Sequence, residues 1–321
     1  MNDQLLSQNS ELRTQNSSRT HGLLNIAKPA GVSSRHVVTQ LEHALKPLAV
    51  GHAGTLDPMA TGVLVVGVGR GTKLIDYLHR FPKTYRASFL LGRSSDTEDI
   101  TGNVTMLTDA RAPSRAELDA AVPMFLGTIQ QQPPAFSALK VAGKRAYKLA
   151  RKGKKVELNA RPVDVHRLEI TRYEYPELQA EIECSSGTYI RSLGRDLARA
   201  VGSEAAMSVL SRTVIGPFLL SQAVAPEQIN KDNLLEHLLP SLLAVGAMQR
   251  TPLSEQQVAE LTATGVLFDL PLEATQFASD AEVAGIAPDG RLFAVLTPSR
   301  GDRWKVKVLV GAGGPPTADE S

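Results

Sequence analysis

Apolar residues recur along this chain at two spacings, every second position or every third to fourth, and the switches between them mark its elements. The first twenty residues show neither spacing; ten of them are Ser, Asn or Gln, so a disordered tail is expected. Gly22 to Ile26 reads as a short strand, and Ser33 or Ser34 is placed to cap a helix reaching Leu45. Gly62 to Gly69 is an apolar run with little polar relief, the pattern of a strand buried on both faces. Thr72 to Leu78 turns helical, and Thr84 to Gly92 alternates, with Tyr85, Ala87, Phe89 and Leu91 sharing one face. Pro113 to Leu126 reads as one helix, Gly143 to Arg151 as a basic helix with Tyr147 on its apolar side. Val163 to Ile170 and Leu178 to Cys184 alternate again as strands. Ile190, Leu193, Leu197 and Val201 then recur at helical spacing, while Arg191, Arg195 and Arg199 form a stripe on another face, ordinarily a solvated one. Residues 224–250 look helical and apolar, ending at a linker, Arg250-Thr251-Pro252. A short helix (Ser254 to Thr264) and strands at Val283 to Ile286, Leu292 to Leu296 and Trp304 to Val310 complete the pattern.

Length adds that 321 residues suffice for one large domain and a smaller one. Net charge is only +2, so a nucleic-acid surface would have to come from uneven distribution. The distribution is uneven: Lys140 to Arg161 holds nine Lys or Arg against one acid, Glu157. A sugar-phosphate partner accounts for such a block, because each neutralised phosphate releases counterions. Residues 251–321 hold five basic and ten acidic side chains, too acidic for a primary RNA-binding module. The single cysteine, Cys184, excludes an internal disulfide and a cysteine-rich zinc site, and the seven histidines show no metal spacing. No run of 18 apolar residues and no signal pattern occurs, so a cytoplasmic location is expected.

Candidate chemistry concentrates in Gly51-His52-Ala53-Gly54-Thr55-Leu56-Asp57-Pro58. Two glycines supply backbone freedom there, and Pro58 keeps Asp57 out of helical conformation. A carboxylate on a rigid loop beside a central strand is a suitable nucleophile, although Asp-Pro in such a turn is usually only a turn. Gly67 to Lys73 is glycine-rich but places Thr72 before Lys73, the wrong order for a phosphate loop, and its third glycine comes one residue early for a dinucleotide fingerprint. Ser94-Ser95-Asp96-Thr97-Glu98-Asp99 looks like paired carboxylates or a magnesium site; it is expected to be a solvated loop.

The string GHAGTLDPMATGVLVVGVG resembles the signature of the TruB-type tRNA pseudouridine synthases. PPAFSALKVAGKRAYKLAR resembles the thumb inserted in that family, SSGTYIR its third active-site motif, and VLSRTVIGPF its L-R-R-T-x-(I/V)-G-x-F strand with Ser211 in place of one arginine. The resemblance covers residues 22–218 and implies an α+β fold: a pseudouridine synthase core with a mixed, mostly antiparallel sheet and flanking helices, plus a small β-rich, PUA-like C-terminal domain. It divides the chain into a tail (1–21), a catalytic domain (22–250, thumb about 133–160), the PUA-like domain (251–312) and a second tail (313–321). It implies conversion of uridine to pseudouridine at position 55 in the T loop of tRNA. Asp57 would be the nucleophile, attacking the ribose anomeric carbon or the pyrimidine ring. Arg191 would ion-pair with it, and Tyr189 would be general base or aromatic wall. Tyr85 would stack on the everted uracil, His52 would enter the vacated stack, and Leu210 would floor the pocket. Lys28 is counted with the substrate-binding residues in a supporting role, and Lys144 and Arg145 with the thumb that clamps the T arm. No metal, cofactor or nucleotide is implied, nor a membrane, and the protein is expected to be monomeric. A guide-RNA-dependent synthase and a non-catalytic tRNA-folding protein are the alternatives.

Overall fold

The computed structural model describes residues 20–108, 111–136, 140–141, 144–145, 158–268, 270, 272 and 277–311. Strand β1 (Gly22–Lys28) leads into helix α1 (Ser34–Leu45), whose first turn is capped by Ser33 Oγ accepting from the His36 amide at 3.1 Å. β2 (Val50–Ala53) and β3 (Thr61–Val68) follow, then a 3₁₀ turn (Gly69–Leu74) and the short helix α2 (Ile75–His79). After β4 (Lys83–Leu91) come the hairpin β5 (Arg93–Ser95) and β6 (Val104–Met106), helix α3 (Arg115–Ala121) and β7 (Gly127–Gln131). A two-residue hairpin, β8 (Lys140–Val141) with β9 (Lys144–Arg145), precedes the long strands β10 (Arg161–Glu174) and β11 (Glu177–Cys184). Helix α4 (Ile190–Ala200), β12 (Ala205–Ile215) and β13 (Phe218–Leu219) close the first unit.

These strands form one mixed sheet in the order β1-β3-β12-β4-β11-β10-β7, with β2 beside β3 and β13 beside β12. Only the β3–β12 pairing is parallel. β3 is buried from Gly62 to Val68, as its unbroken apolar run requires, while β4 and β11 bury alternate residues. One face of β4, β11 and β12 packs against α3 and α4 through Phe89, Ile182, Leu193 and Met207. Gly194 permits this approach: a Cβ there would lie 2.1 Å from the Phe89 ring. Val37, Val38 and Leu41 of α1 cover the outer end of the sheet, each buried side chain contributing roughly 1.5–3 kcal/mol.

The remainder is α5 (Leu234–His237), β14 (Gln249–Pro252), α6 (Glu255–Thr264), β15 (Val266–Leu267), β16 (Val283–Ile286), β17 (Leu292–Pro298) and β18 (Trp304–Leu309). A second sheet runs β14-β16-β17-β18-β15 around the fully buried Trp304. Its Ala284, Leu292, Val295 and Val310 join one apolar cluster with Leu23, Val65, Leu74 and Tyr77 of the first unit.

Four sequence expectations change. Residues 224–250 are not one helix: α5 is four residues long and flanked by 3₁₀ turns at Pro226–Gln228 and Ser241–Val245, because Pro226 and Pro240 interrupt helical hydrogen bonding. The helix expected to Leu126 ends at Ala121 and tightens to 3₁₀ around Pro123. The supposed linker 250–252 is strand β14, parallel to β16. Lys144 and Arg145 are extended and paired with Val141 and Lys140 rather than helical. Most of the basic segment and both tails lie outside the described residues.

Candidate active site

The loop joining β2 to β3 is fastened from beneath. Ser34 Oγ accepts from the Leu56 amide (2.9 Å) and donates to the Leu56 carbonyl (3.3 Å). Lys28, 1% exposed, donates its ammonium to the carbonyls of Pro29 (2.8 Å), Pro58 (3.3 Å) and Ala60 (2.7 Å). The Gly31 amide also donates to Pro58 (2.8 Å), and the Ala60 amide closes a turn on Asp57 (3.0 Å). Between these anchors Asp57 is held with 36% of its side chain exposed. Lys28 is therefore a brace of the loop and not a substrate contact: its donors are already engaged and almost none of its surface is accessible.

Helix α4 brings up the partner, 134 residues away in sequence. Arg191 Nε lies 3.0 Å from Asp57 Oδ2 and its Nη2 donates to Oδ1 at 3.3 Å, a two-pronged pair on a nearly buried guanidinium. Arg191 Nη1 donates to the Thr97 carbonyl (2.7 Å) and lies 3.5 Å from Asp99, while Nη2 also reaches the Phe136 carbonyl (3.3 Å). One guanidinium thus faces two carboxylates. Burial pushes the Asp57 carboxyl above its ordinary range, Arg191 pulls it back and Asp99 raises it again; burial prevails.

The acidic stretch from 94 to 99 is solvated only in part: Asp96 is exposed, whereas Glu98 and Asp99 turn toward arginines. Asp99 is buried and accepts from Thr97 Oγ1 (2.8 Å), Thr101 Oγ1 (2.5 Å) and the Thr101 amide (2.9 Å). Glu98, at φ 63°, turns its carboxylate onto α4, where Ser192 donates at 2.6 Å and Arg195 forms an ion pair. Burial raises the Glu98 carboxyl despite both donors. Arg195 accordingly leaves the solvated stripe, whereas Arg199 remains on it, paired with Glu204 at the surface. A run of acids in a loop has the same sequence pattern whether it faces water or arginines, so the sequence gives no sign of this pairing.

The opening beside Asp57 is a cleft of about 240 Å³ lined by Tyr85, Tyr189, Arg191, Leu210 and Arg212 among others. Its size lies below the ~300–1,000 Å³ of clefts that take drug-sized ligands and suits a single flat base. Tyr85 of β4 faces Arg212 of β12 and Ile182 of β11 across the sheet, and Leu210 lies one alternate position along β12. Tyr189 precedes the first turn of α4; Gln131 holds its backbone by accepting from its amide (2.8 Å) and donating to its carbonyl (3.0 Å). The Arg161 guanidinium lies 5.3 Å from the Tyr189 ring centre. His52 sits on β2, outside the lining of the cleft; burial and Arg212 hold its pKa down against the pull of the Gly54 backbone, and its buried Nδ1 has no close hydrogen-bond partner among the described residues. Side-chain positions of Lys144 and Arg145 fall outside the described residues.

Sequence reasoning does not single out Arg212, Lys83, His79 or Gln131. Arg212 stands in the VLSRTVIGPF string, directly after the departure at Ser211, and that string was its one available signal. It is 2% exposed and donates to the carbonyls of Val63 (2.8 Å) and Gly54 (3.1 Å), fixing the loop from the opposite side to Lys28. Cys184 is a buried small residue as expected, its thiol pushed up to about 11 chiefly by burial. A larger cleft of about 810 Å³ lies between residues 235–242 and the second sheet, but leucines, valines and Phe293 dominate its lining, so the reactive groups point to the smaller one.

Residues 42–190 match the family described as "TruB family pseudouridylate synthase (N terminal domain)". A protein of Arthrobacter sp. (strain FB24) named tRNA pseudouridine synthase B is 41% identical over 292 residues, covering 87% of this chain and 94% of its own length. The protein of that name from Cereibacter sphaeroides is 41% identical over 254 residues, covering 78% and 84%. Among solved structures, a chain of a Cbf5-Nop10-Gar1 complex aligns with a TM-score of 0.68 at 22% identity, covering 90% of this chain and 84% of that one, a likeness of fold.

Proposed function

The chain belongs to the TruB family of pseudouridylate synthases and forms pseudouridine in tRNA; on that premise we propose that its target is the uridine at position 55 of the T loop. The observation that carries the reading is the Asp57 carboxylate, gripped by Arg191 and opening onto a cleft walled by Tyr85, Tyr189 and Leu210.

Unstacking a base costs a few kcal/mol, and stacking it on an aromatic ring returns about 1–3 kcal/mol. In this reading Tyr85 supplies the stacking face and His52 enters the gap left in the RNA. Asp57 attacks the ribose anomeric carbon or the uracil ring, and the N-glycosidic bond breaks with its electron pair on the base. The ring turns, its C5 bonds to the anomeric carbon while the bond to Asp57 breaks and frees the carboxylate, and the proton lost from C5 is made up at N1, with Tyr189 as the relay in this reading. Reactant and product are isomers, so the sequence of steps balances without an oxidant or a nucleotide. Arg191 keeps the nucleophile charged in a setting that favours its acid form.

We read residues 22–250 as the catalytic domain, with a thumb over about 133–160 that grips the T arm, and 251–312 as a PUA-like domain. The protein works as a cytoplasmic monomer in this proposal; no helix among the described residues is long and apolar enough to cross a membrane. The test is an unmodified tRNA transcript incubated with purified protein alone, with pseudouridine mapped by position. Product at uridine 55 without guide RNA or ATP is expected, and none on a transcript carrying cytidine there. A requirement for added guide RNA would favour the guide-dependent alternative, and bound but unmodified tRNA the non-catalytic one.

A further inference from the structure

The second sheet makes a polar contact with the catalytic unit through Glu282. This carboxylate is 9% exposed and lies just before β16. It accepts from the Tyr77 hydroxyl at 3.1 Å and pairs with Arg80, both at α2, and with Lys307 of its own sheet at 2.7 Å. Burial alone would raise its pKa; Arg80, Lys307 and Tyr77 outweigh burial and hold it at about 2, so it stays charged throughout the neutral range. The Arg80 guanidinium also lies 4.4 Å from the Tyr77 ring centre, so the three groups form one compact knot.

The other side of the same short segment belongs to the cleft. His79, the last residue of α2, lines it, as does Lys83 four residues later. The Lys83 ammonium donates to the carbonyls of His79 (2.7 Å) and Phe81 (2.5 Å), which ties the end of α2 to the start of β4. Tyr85, the expected stacking ring, follows two residues on along β4. Phe81 packs on Gly216, where any Cβ would lie 2.6 Å from its ring, so the segment has little room to shift on that side. A displacement of α2 is therefore passed to His79, Lys83 and the base of Tyr85.

We propose that Glu282 is a positioning residue for isomerisation: by holding Tyr77 and Arg80 it sets α2, and through His79 and Lys83 the wall of the cleft. The C-terminal sheet then serves the reaction without touching the RNA, in keeping with the acidic balance of residues 251–321 as a whole. The inference rests on the pseudouridine-forming reading of the cleft.

The test uses the full chain with unmodified tRNA, measuring the single-turnover rate at saturating enzyme and, separately, the Kd for tRNA. Glu282→Ala and Arg80→Met should each slow the bound-state reaction at least fivefold with Kd within twofold of the unaltered protein. Lys307→Met, which removes only the contact within the sheet, should leave both within twofold. Thermal unfolding confirms that every variant is folded at the assay temperature, and rates are expressed per folded molecule. Rates within twofold for Glu282→Ala and Arg80→Met would overturn the proposal. So would a loss confined to Kd, or an equal loss in Lys307→Met. Absence of pseudouridine with the unaltered protein would instead strike the reading of the cleft.

Discussion

Asp57 sits under two opposed influences, and their balance has a measurable sign. Only the ionised carboxylate can attack, so activity should be present above its pKa and fall as pH drops through it. Because burial raises that pKa, the acid limb of the single-turnover rate should lie above the ordinary carboxylate value of 3.8, and Arg191→Met should move it higher still. A limb at or below 3.8 would show that burial does not prevail, and one unmoved in Arg191→Met that the guanidinium does not hold the carboxyl down. Lys28 gives a second residue-level outcome. Replacing it by Met leaves the buried Ala60 carbonyl without its ammonium donor and removes the contacts to Pro29 and Pro58, so urea unfolding should show a loss of about 1–3 kcal/mol, together with a slower reaction as the loop loosens. An unchanged midpoint would deny the brace. Asp57, Arg191 and Tyr189 are legible in the sequence as neighbours of one cleft because each stands inside a distinctive string, and Tyr85 because its strand alternates. Glu98, Asp99 and Arg195 are not, since a charged side chain carries no sign in sequence of whether it meets water or a counter-ion. The string around His52 makes it a companion of Asp57, yet it stands outside the cleft lining, so its proposed entry into the RNA must occur at the rim.

Helix α4 shows how an element can invert an expectation drawn from propensity. Gly194→Ala in a free helix would stabilise by about 1 kcal/mol. Here the added methyl would meet the Phe89 ring at 2.1 Å, and overpacking of this kind costs typically ~1–3 kcal/mol. The variant should therefore melt lower than the parent, and because α4 carries Arg191, it should also react more slowly. A higher melting temperature would show that the helix and β4 have slack between them. The strands are readable as elements because burial on one face imposes alternation, plain in β11, and burial on both imposes the unbroken run of β3. Residues 224–250 mislead for the complementary reason: they are apolar because they cover β1 and the second sheet, and that burial needs no helical period once Pro226 and Pro240 have divided the segment. Backbone contacts far apart in sequence, such as Gln131 with Tyr189, leave no periodic trace at all.

Across the full chain, charge is sorted: a basic block between β7 and β10, an acidic balance over residues 251–321, and a cleft whose acid is paired with an arginine. If the block grips RNA backbone, reversing Lys144 and Arg145 to Glu should weaken tRNA binding. It should also flatten the dependence on salt, by up to about 0.9 log units for each phosphate that is no longer neutralised. An unchanged slope would make the block a bystander. Composition shows this sorting, and it leads us to expect, subject to the same binding assay, that residues 251–321 are not the main RNA surface. The bolting of the second sheet to α2 through Glu282 is beyond its reach, because the partners lie about two hundred residues apart. Asp57 as the nucleophile of an isomerisation inside the cleft is tested most directly by Asp57→Asn, which keeps the shape of the side chain and removes its charge. The variant is assayed for pseudouridine on unmodified tRNA at enzyme concentrations above Kd. We expect tRNA to stay bound and no pseudouridine to form; pseudouridine formed at a rate near that of the parent would contradict the assignment.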